Sequence, residues 1–216
     1  MVIKMKKDEK KRIAAAAERI LEETYPDAVC SLEYSTPFEL LIATRLSAQC
    51  TDKRVNVVTK ELFKKFRKPE DYISADVGEI EEVIKSCGLY KTKAADIKGM
   101  AEMLVNEFGG VLPDTLEELL RFPGVGRKTA NLIMGDIYRK PAIVTATHFI
   151  RITGRLGLTG NTEPFKVEKD LMKLLNPETS SDFCHRIVLF GRVYCTARNP
   201  KCEVCPMREI CKKEKK

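Results

Sequence analysis

Apolar residues recur at spacings of three and four along most of the chain. Ile13, Ala16, Ala17, Ile20 and Leu21 mark the first such stretch, and the period is that of an amphipathic helix. TPFELLIATRLSAQ opens on Thr36-Pro37, a capping residue followed by proline at the first helical position, and predicts a second helix. Glu79–Lys85 keeps the period and stops at Cys87-Gly88, and Lys93–Phe108 keeps it and stops at Gly109-Gly110. Glycine is the residue that a helix end most readily accepts. Asp114 with Glu117 predicts a capping box for a short helix over Thr115–Arg121. Further helices are expected over Arg127–Tyr138, over Glu163–Leu175 up to Asn176-Pro177, and over Ser181–Tyr194. AIVTAT, Ala142–Thr147, is rich in β-formers but short, and no convincing alternation predicts a strand. The pattern predicts an all-α protein.

At 216 residues, 44% hydrophobic and 32% charged, the chain suits one compact domain or two small lobes. No Gly/Ser- or Pro-rich linker and no tandem repeat divides it. No apolar run approaches the ~20 residues of a membrane span. The charged N-terminus leads into Ala14–Ala17 and then at once into Glu18 and Arg19, a helix start rather than a signal peptide. An intracellular protein is expected. The net charge of +7 permits nucleic-acid binding without establishing it. Lys4, Lys6, Lys7, Lys10, Lys11 and Arg12 crowd one end, and Lys212, Lys213, Lys215 and Lys216 the other. Taken alone, both read as solvated termini.

Of eight cysteines, Cys30, Cys50, Cys87 and Cys184 are scattered, and read as small buried apolar groups. Cys195, Cys202, Cys205 and Cys211 form C-x6-C-x2-C-x5-C. Inside a cell such a grouping points to metal rather than to disulfides. Four thiolates without histidine suit tetrahedral zinc or a cubane iron–sulfur cluster, and the spacing leaves both open. The loop between the first two ligands carries Arg198 and Lys201 on a tether closed at both ends, a candidate phosphate contact.

LLRFPGVGRKTANLIM, Leu119–Met134, joins two amphipathic stretches through Pro123-Gly124-Val125-Gly126. The glycines allow a sharp turn and close approach to a ligand. Amides of such a turn, with the free N–H groups of the next helix, make an anion site that grips backbone phosphate without reading sequence. GVGRKTAN between two such helices is the helix-hairpin-helix pattern; a plain helical hairpin is the bland alternative. Lys128 sits at the positive end of the second helix, beside Arg127, where a cation is electrostatically unfavourable. It is either a nucleophilic amine or a solvated lysine on phosphate.

FPGVGRKTAN followed by THFIR and the cysteine spacing, in that order, resembles endonuclease III, the bifunctional DNA glycosylase/AP lyase family of base-excision repair. PFELLIATRLSAQCTDKRVN and IKSCGLYKTKAADI resemble it too, so the likeness runs from about Ile13 to Cys211. It implies a two-lobed helix-hairpin-helix glycosylase fold. A six-helix barrel lobe would span 30–140, with the hairpin at about 115–138. Residues 1–29 and 141–216 would form a discontinuous lobe with the iron–sulfur loop at 195–211. The resemblance makes Cys195, Cys202, Cys205 and Cys211 the ligands of a 4Fe-4S cluster. It makes Lys128 the Schiff-base nucleophile that attacks C1′ of a flipped nucleotide, expels the base and permits β-elimination. Gln49 matches the residue that fills the gap in the helix, and Leu89 the wedge beside it. Gly124, Val125, Gly126, Arg127, Arg198 and Lys201 are expected on the DNA backbone, and His148 and Arg45 in or near the pocket. The implied partner is double-stranded DNA with a damaged pyrimidine or abasic site, met by a monomer in a prokaryotic cytoplasm, at the nucleoid and away from membranes.

Two departures stand out. Ala146 occupies the position of the family's catalytic aspartate, whose carboxylate assists proton transfer at the lysine. Losing such a group typically costs ~10²–10⁴ in rate, and losing a carboxylate cap about 1 kcal/mol, with Thr145 available as a partial substitute. Intact surroundings favour a deliberate Asp→Ala exchange over natural divergence. Arg45 lies on an otherwise apolar helix face leading to Gln49, where it either snorkels to solvent or reaches the pocket. Two other readings are an adenine mismatch glycosylase, which lacks a lysine at position 128 and usually carries a further C-terminal domain, and a non-catalytic lesion-binding protein, which Ala146 favours. A structural zinc protein is more remote.

Overall fold

The computed structural model describes residues 6–212. The basic positions Lys4, Lys213, Lys215 and Lys216 lie outside them. Among the described residues the secondary structure is helical, with no strand. Ala142–Ala146 is neither helix nor strand and turns tightly where Ala146 N donates to Val144 O at 2.8 Å, since a short run of β-propensity makes a strand only beside another.

The chain forms two compact units. The first comprises 1–29 and 139–216, the second Cys30–Tyr138.

The second unit holds α2 (Pro37–Leu46), α3 (Asp52–Lys65), α4 (Pro69–Ser74), α5 (Val77–Ile84), α6 (Tyr90–Phe108), α7 (Leu116–Leu119) and α8 (Arg127–Asp136). Thr36 caps α2 with a full capping box to Glu39. Six residues of α2, from Phe38 to Leu46, are buried around most of its circumference, so it is a core helix rather than an amphipathic one. The long α6 packs against α4 and α5. Its buried face is Lys93, Ala94, Ile97, Met100, Ala101 and Leu104, at helical spacing with one lysine among apolar residues. Tyr72 meets Phe38 edge-on and lies tilted on Phe66. Helices α3 and α4 were not singled out by periodicity. The first starts at the cap Thr51, and the second is a single short element opened by Pro69. The cap of α7 is Thr115, which accepts from the Glu118 amide, one residue beyond the expected Asp114 and Glu117.

The first unit holds α1 (Lys7–Thr24), α9 (Thr147–Arg155), α10 (Pro164–Leu171) and α11 (Ser180–Val193). Helix α11 packs on α1 and on α9. Ile13, Ala14, Ala17 and Leu21 form the buried stripe of α1, and Phe149 of α9 meets Phe183 of α11 edge-on. Two termini-proximal lysines are engaged rather than free: Lys10 Nζ donates to the Leu158 carbonyl at 3.0 Å, and Lys212 pairs with Glu9 at 2.8 Å.

Candidate nucleic-acid interface and cysteine loop

The turn between α7 and α8 is built on local hydrogen bonds and one left-handed glycine. Phe122 N donates to Leu119 O, and Val125 N to Phe122 O at 3.1 Å. Gly124 has φ +67°. A Cβ there would lie 2.5 Å from Arg45 Nε and 2.6 Å from Asp96 Oδ2. Glycine is therefore required twice, for its φ and for the closeness of this ion pair. Gly126 is the N-cap of α8 and brings no capping side chain, so first-turn amides of α8 keep the anion-binding character of a helix N-terminus. Gly124, Gly126 and Lys128 are exposed, Arg127 is half-buried, and Val125 is buried as the turn's apolar anchor.

Arg45 and Asp96 are the support beneath this turn. The guanidinium meets Asp96 Oδ2 through both Nε and Nη2 at 2.6 Å, with side chains 14% and 19% exposed. The arginine is thus committed to a carboxylate on α6 and packed against Gly124. Gly99 of α6 completes the seat: a Cβ on it would stand 3.0 Å from the Pro123 ring.

Gln49 and Leu89 are exposed and share an unusual property. Both are non-glycine residues in the left-handed region, at φ +57° and +49°. Gln49 follows α2, and Leu89 precedes α6. The buried Lys93 ammonium donates to carbonyls in both neighbourhoods. Within Lys93–Phe108 the helical period alone does not set it apart. The available signal was a lysine in register with Ile97, Met100 and Leu104.

In the first unit, Ala146 is the N-cap of α9, extended at φ −71° and ψ 162°, and no cap hydrogen bond comes from it. His148 is half-buried in the first turn of α9. It lies against α11 where Gly191 has no side chain, since a Cβ there would come within 2.5 Å of His148 Cδ2. Burial first, then the charges of Arg151 and Arg192, hold its pKa below 6.5.

Cys195, Cys202, Cys205 and Cys211 are each half-buried. Burial raises the Cys205 thiol, an amide hydrogen bond from Met207 opposes this, and Cys195, Cys211 and Cys202 each raise it further. The four sulfurs therefore share one neighbourhood. Among the described residues, however, no three His, Cys, Asp or Glu side chains are gathered as a single metal ion requires. Zinc–sulfur bonds near 2.3 Å would bring four sulfurs to about 4 Å of one another. A cubane gives each thiolate its own iron, and four half-buried cysteine thiols in one loop supply the donor set that such a cluster takes. Two arginines of α9 hold the loop. Arg151 donates to Cys195 O at 2.9 Å, and Arg155 to Cys195 Sγ at 3.1 Å, Thr196 O at 2.8 Å and Ala197 O at 3.0 Å. Arg198 and Lys201 are exposed on it.

Residues 42–177 match the family described as HhH-GPD superfamily base excision DNA repair protein, and 195–211 match the iron-sulfur binding domain of endonuclease III. The chain is 43% identical to endonuclease III of Bacillus subtilis (strain 168) over 195 residues, covering 90% of this chain and 89% of that one. It is 45% identical to endonuclease III of a Synechocystis strain, covering 94% and 93%. A solved structure of a non-covalent endonuclease III–DNA complex superposes with a TM-score of 0.88 at 43% identity, covering 94% of this chain and 95% of that one.

Proposed function

Because this chain belongs to the endonuclease III family of HhH-GPD base-excision repair proteins, and is a DNA glycosylase/AP lyase with that family's 4Fe-4S domain, we propose that it acts on oxidised pyrimidines and abasic sites in duplex DNA through Lys128, and that Ala146 makes its turnover slow. The observation that carries the reading is the hairpin: an exposed lysine in the first turn of α8, directly behind a glycine turn built on Arg45 and Asp96.

The turn amides and Arg127 hold phosphate, with Arg198 and Lys201 as further backbone contacts. Gln49 fills the space left when a nucleotide is flipped, and Leu89 wedges beside it. The Lys128 amine attacks C1′ and the base departs with its bonding pair. The C1′–O4′ bond of the sugar ring then breaks as the nitrogen loses its proton and the ring oxygen gains one, and the protonated imine so formed acidifies the neighbouring C2′ proton, whose loss expels the 3′ phosphate. A carboxylate at position 146 would relay protons and stabilise positive charge on the sugar, and a methyl group does neither. His148 lines the pocket as a neutral imidazole. Cys195, Cys202, Cys205 and Cys211 are the cluster ligands. The cluster's contribution is to fix the loop that Arg151 and Arg155 already hold, so that Arg198 and Lys201 are presented together. The protein works as a monomer in a prokaryotic cytoplasm; among the described residues no helix is long and apolar enough to cross a membrane.

Ala146→Asp on a thymine-glycol duplex tests the reading under single-turnover conditions. Cleavage should rise by ~10²–10⁴, and borohydride should then trap a covalent adduct that Lys128→Gln abolishes. A rise of less than about tenfold, against the expected size of such an effect, means that position 146 does not limit the chain. The alternative of a protein that binds lesions without processing them is favoured by Ala146, and it predicts no trapped adduct even after Ala146→Asp.

A further inference from the structure

Lys93 is fully buried on the core face of α6, among Ala94, Ile97, Met100, Ala101 and Leu104. Its charge is met by three carbonyls rather than by a carboxylate. Nζ donates to Leu46 O at 2.9 Å, Ala48 O at 2.8 Å and Cys87 O at 2.9 Å. An ammonium has three N–H donors, and all three are used. Leu46 ends α2 and Ala48 lies in the turn after it, while Cys87 ends the 3₁₀ turn Lys85–Cys87. The cation thus sits where two helical segments direct unpaired carbonyls and the negative ends of their dipoles.

Each of these segments leads directly into a strained residue. Among the described residues three non-glycines have positive φ, and two of them are Gln49 and Leu89. Gln49 is the neighbour of Ala48, and Leu89 lies two residues after Cys87. A left-handed conformation in a residue with a Cβ persists only where its surroundings over-determine it. Lys93 is common to both surroundings, and the side chains of Cys50 and Cys87 also meet between them.

We propose that Lys93 is a positioning residue for lesion recognition: one buried ammonium ties the two loops together and holds Gln49 and Leu89 outward at a fixed separation. The proposal rests on the reading of Gln49 as gap filler and Leu89 as wedge. Both must enter the duplex at once, so a loss of their mutual register weakens the flipped state while leaving contacts to intact backbone in place. Holding groups within a fraction of an ångström is the task of such supporting contacts.

The test uses the cluster-loaded full chain and two duplexes, one with a tetrahydrofuran abasic analogue that cannot be cleaved and one undamaged. Anisotropy gives the affinity ratio between them, and 2-aminopurine opposite the analogue reports wedge insertion. In folded Lys93→Met the ratio should fall about tenfold or more and the 2-aminopurine signal should be lost, while undamaged DNA binds within about twofold of the parent. In a Gln49→Ala/Leu89→Ala background, Lys93→Met should cost less than about twofold further, because residues acting through one another are not additive. A folded Lys93→Met that keeps the ratio, or a loss that adds in full to the background, overturns the proposal. Lys93→Gln is read in the same way if Lys93→Met does not fold, and failure of both to fold makes Lys93 a stability residue and also overturns it. If the double substitution itself leaves the ratio unchanged, the assignment of the two loops fails and the proposal falls with it. That result is distinct from a double substitution that lowers the ratio beside a Lys93→Met that does not.

Discussion

The two hairpin glycines look equivalent in GVG, yet the structure gives them different work, and substituting each by alanine separates them. At Gly124 the new Cβ would stand 2.5 Å from Arg45 Nε, 2.6 Å from Asp96 Oδ2 and 2.8 Å from Arg45 Cδ, at φ +67°. It would be driven into an ion pair that the fold holds 14% and 19% exposed. The backbone part of the penalty is about 1–2 kcal/mol. Overpacking against side chains that are themselves fixed adds roughly 1–3 kcal/mol. Gly124→Ala should therefore cost about 3 kcal/mol. At Gly126 the φ is −100° and nothing lies within 4 Å of an added Cβ. Exchanging glycine for alanine at an N-cap costs of order 0.5–1 kcal/mol. Urea unfolding followed by far-UV circular dichroism reads the difference, with the cluster's visible absorbance followed separately because hairpin and cluster belong to different units. A midpoint about 1 M lower for Gly124→Ala than for Gly126→Ala is expected at ordinary urea sensitivities. In an Arg45→Ala/Asp96→Ala background, which removes both charges together with every side-chain atom that the new Cβ would meet, the Gly124 penalty should shrink to its backbone part of about 1–2 kcal/mol. Equal midpoints for the two alanine variants, or a penalty unchanged in that background, refute the assignment of Arg45 and Asp96 as the seat of the turn.

Gly191→Ala gains about 1 kcal/mol of helix propensity but places a Cβ 2.5 Å from His148 Cδ2 and 3.0 Å from Ile152 Cδ1; overpacking wins, and the thermal midpoint should fall while the Gly160→Ala control, with open space around it, should lower it less. The burial-lowered pKa of His148 means that between its folded value and the ordinary 6.5 the unfolded chain binds more protons. Stability is therefore lost as pH falls from about 6.5 through the folded pKa, and His148→Gln should flatten the thermal midpoint's dependence on pH across that window; an unchanged slope rejects the assignment.

The helical class was legible because apolar spacing is a local property, and so were the helices flanking the glycine turn. The α7 cap shows the limit of local reading. Asp114 and Thr115 are both good N-caps, Glu117 and Glu118 are both suitable partners, and the choice of Thr115 and Glu118 falls to where Leu116 and Leu119 must point. Ala142–Ala146 shows the opposite limit, since β-propensity makes a strand only when another strand offers a ladder.

The supports of the site were not legible, for one physical reason. Arg45 and Asp96 are far apart in sequence, as are Lys93 and the carbonyls of Leu46 and Ala48, and only folding brings them together. Each looks like a local fault: an arginine on an apolar helix face, a lysine in a core stripe. A buried charge is costly unless its hydrogen bonds are met, so a charge that interrupts an apolar stripe carries information. It predicts that some other segment presents oxygen at that depth. Two such interruptions lie beneath residues that meet DNA in the proposed mechanism, Arg45 under Gly124 and Lys93 under Gln49 and Leu89. Gly124, Gln49 and Leu89 are exposed and could belong to many loops; the two cations below them are what make their backbone conformations the stable ones.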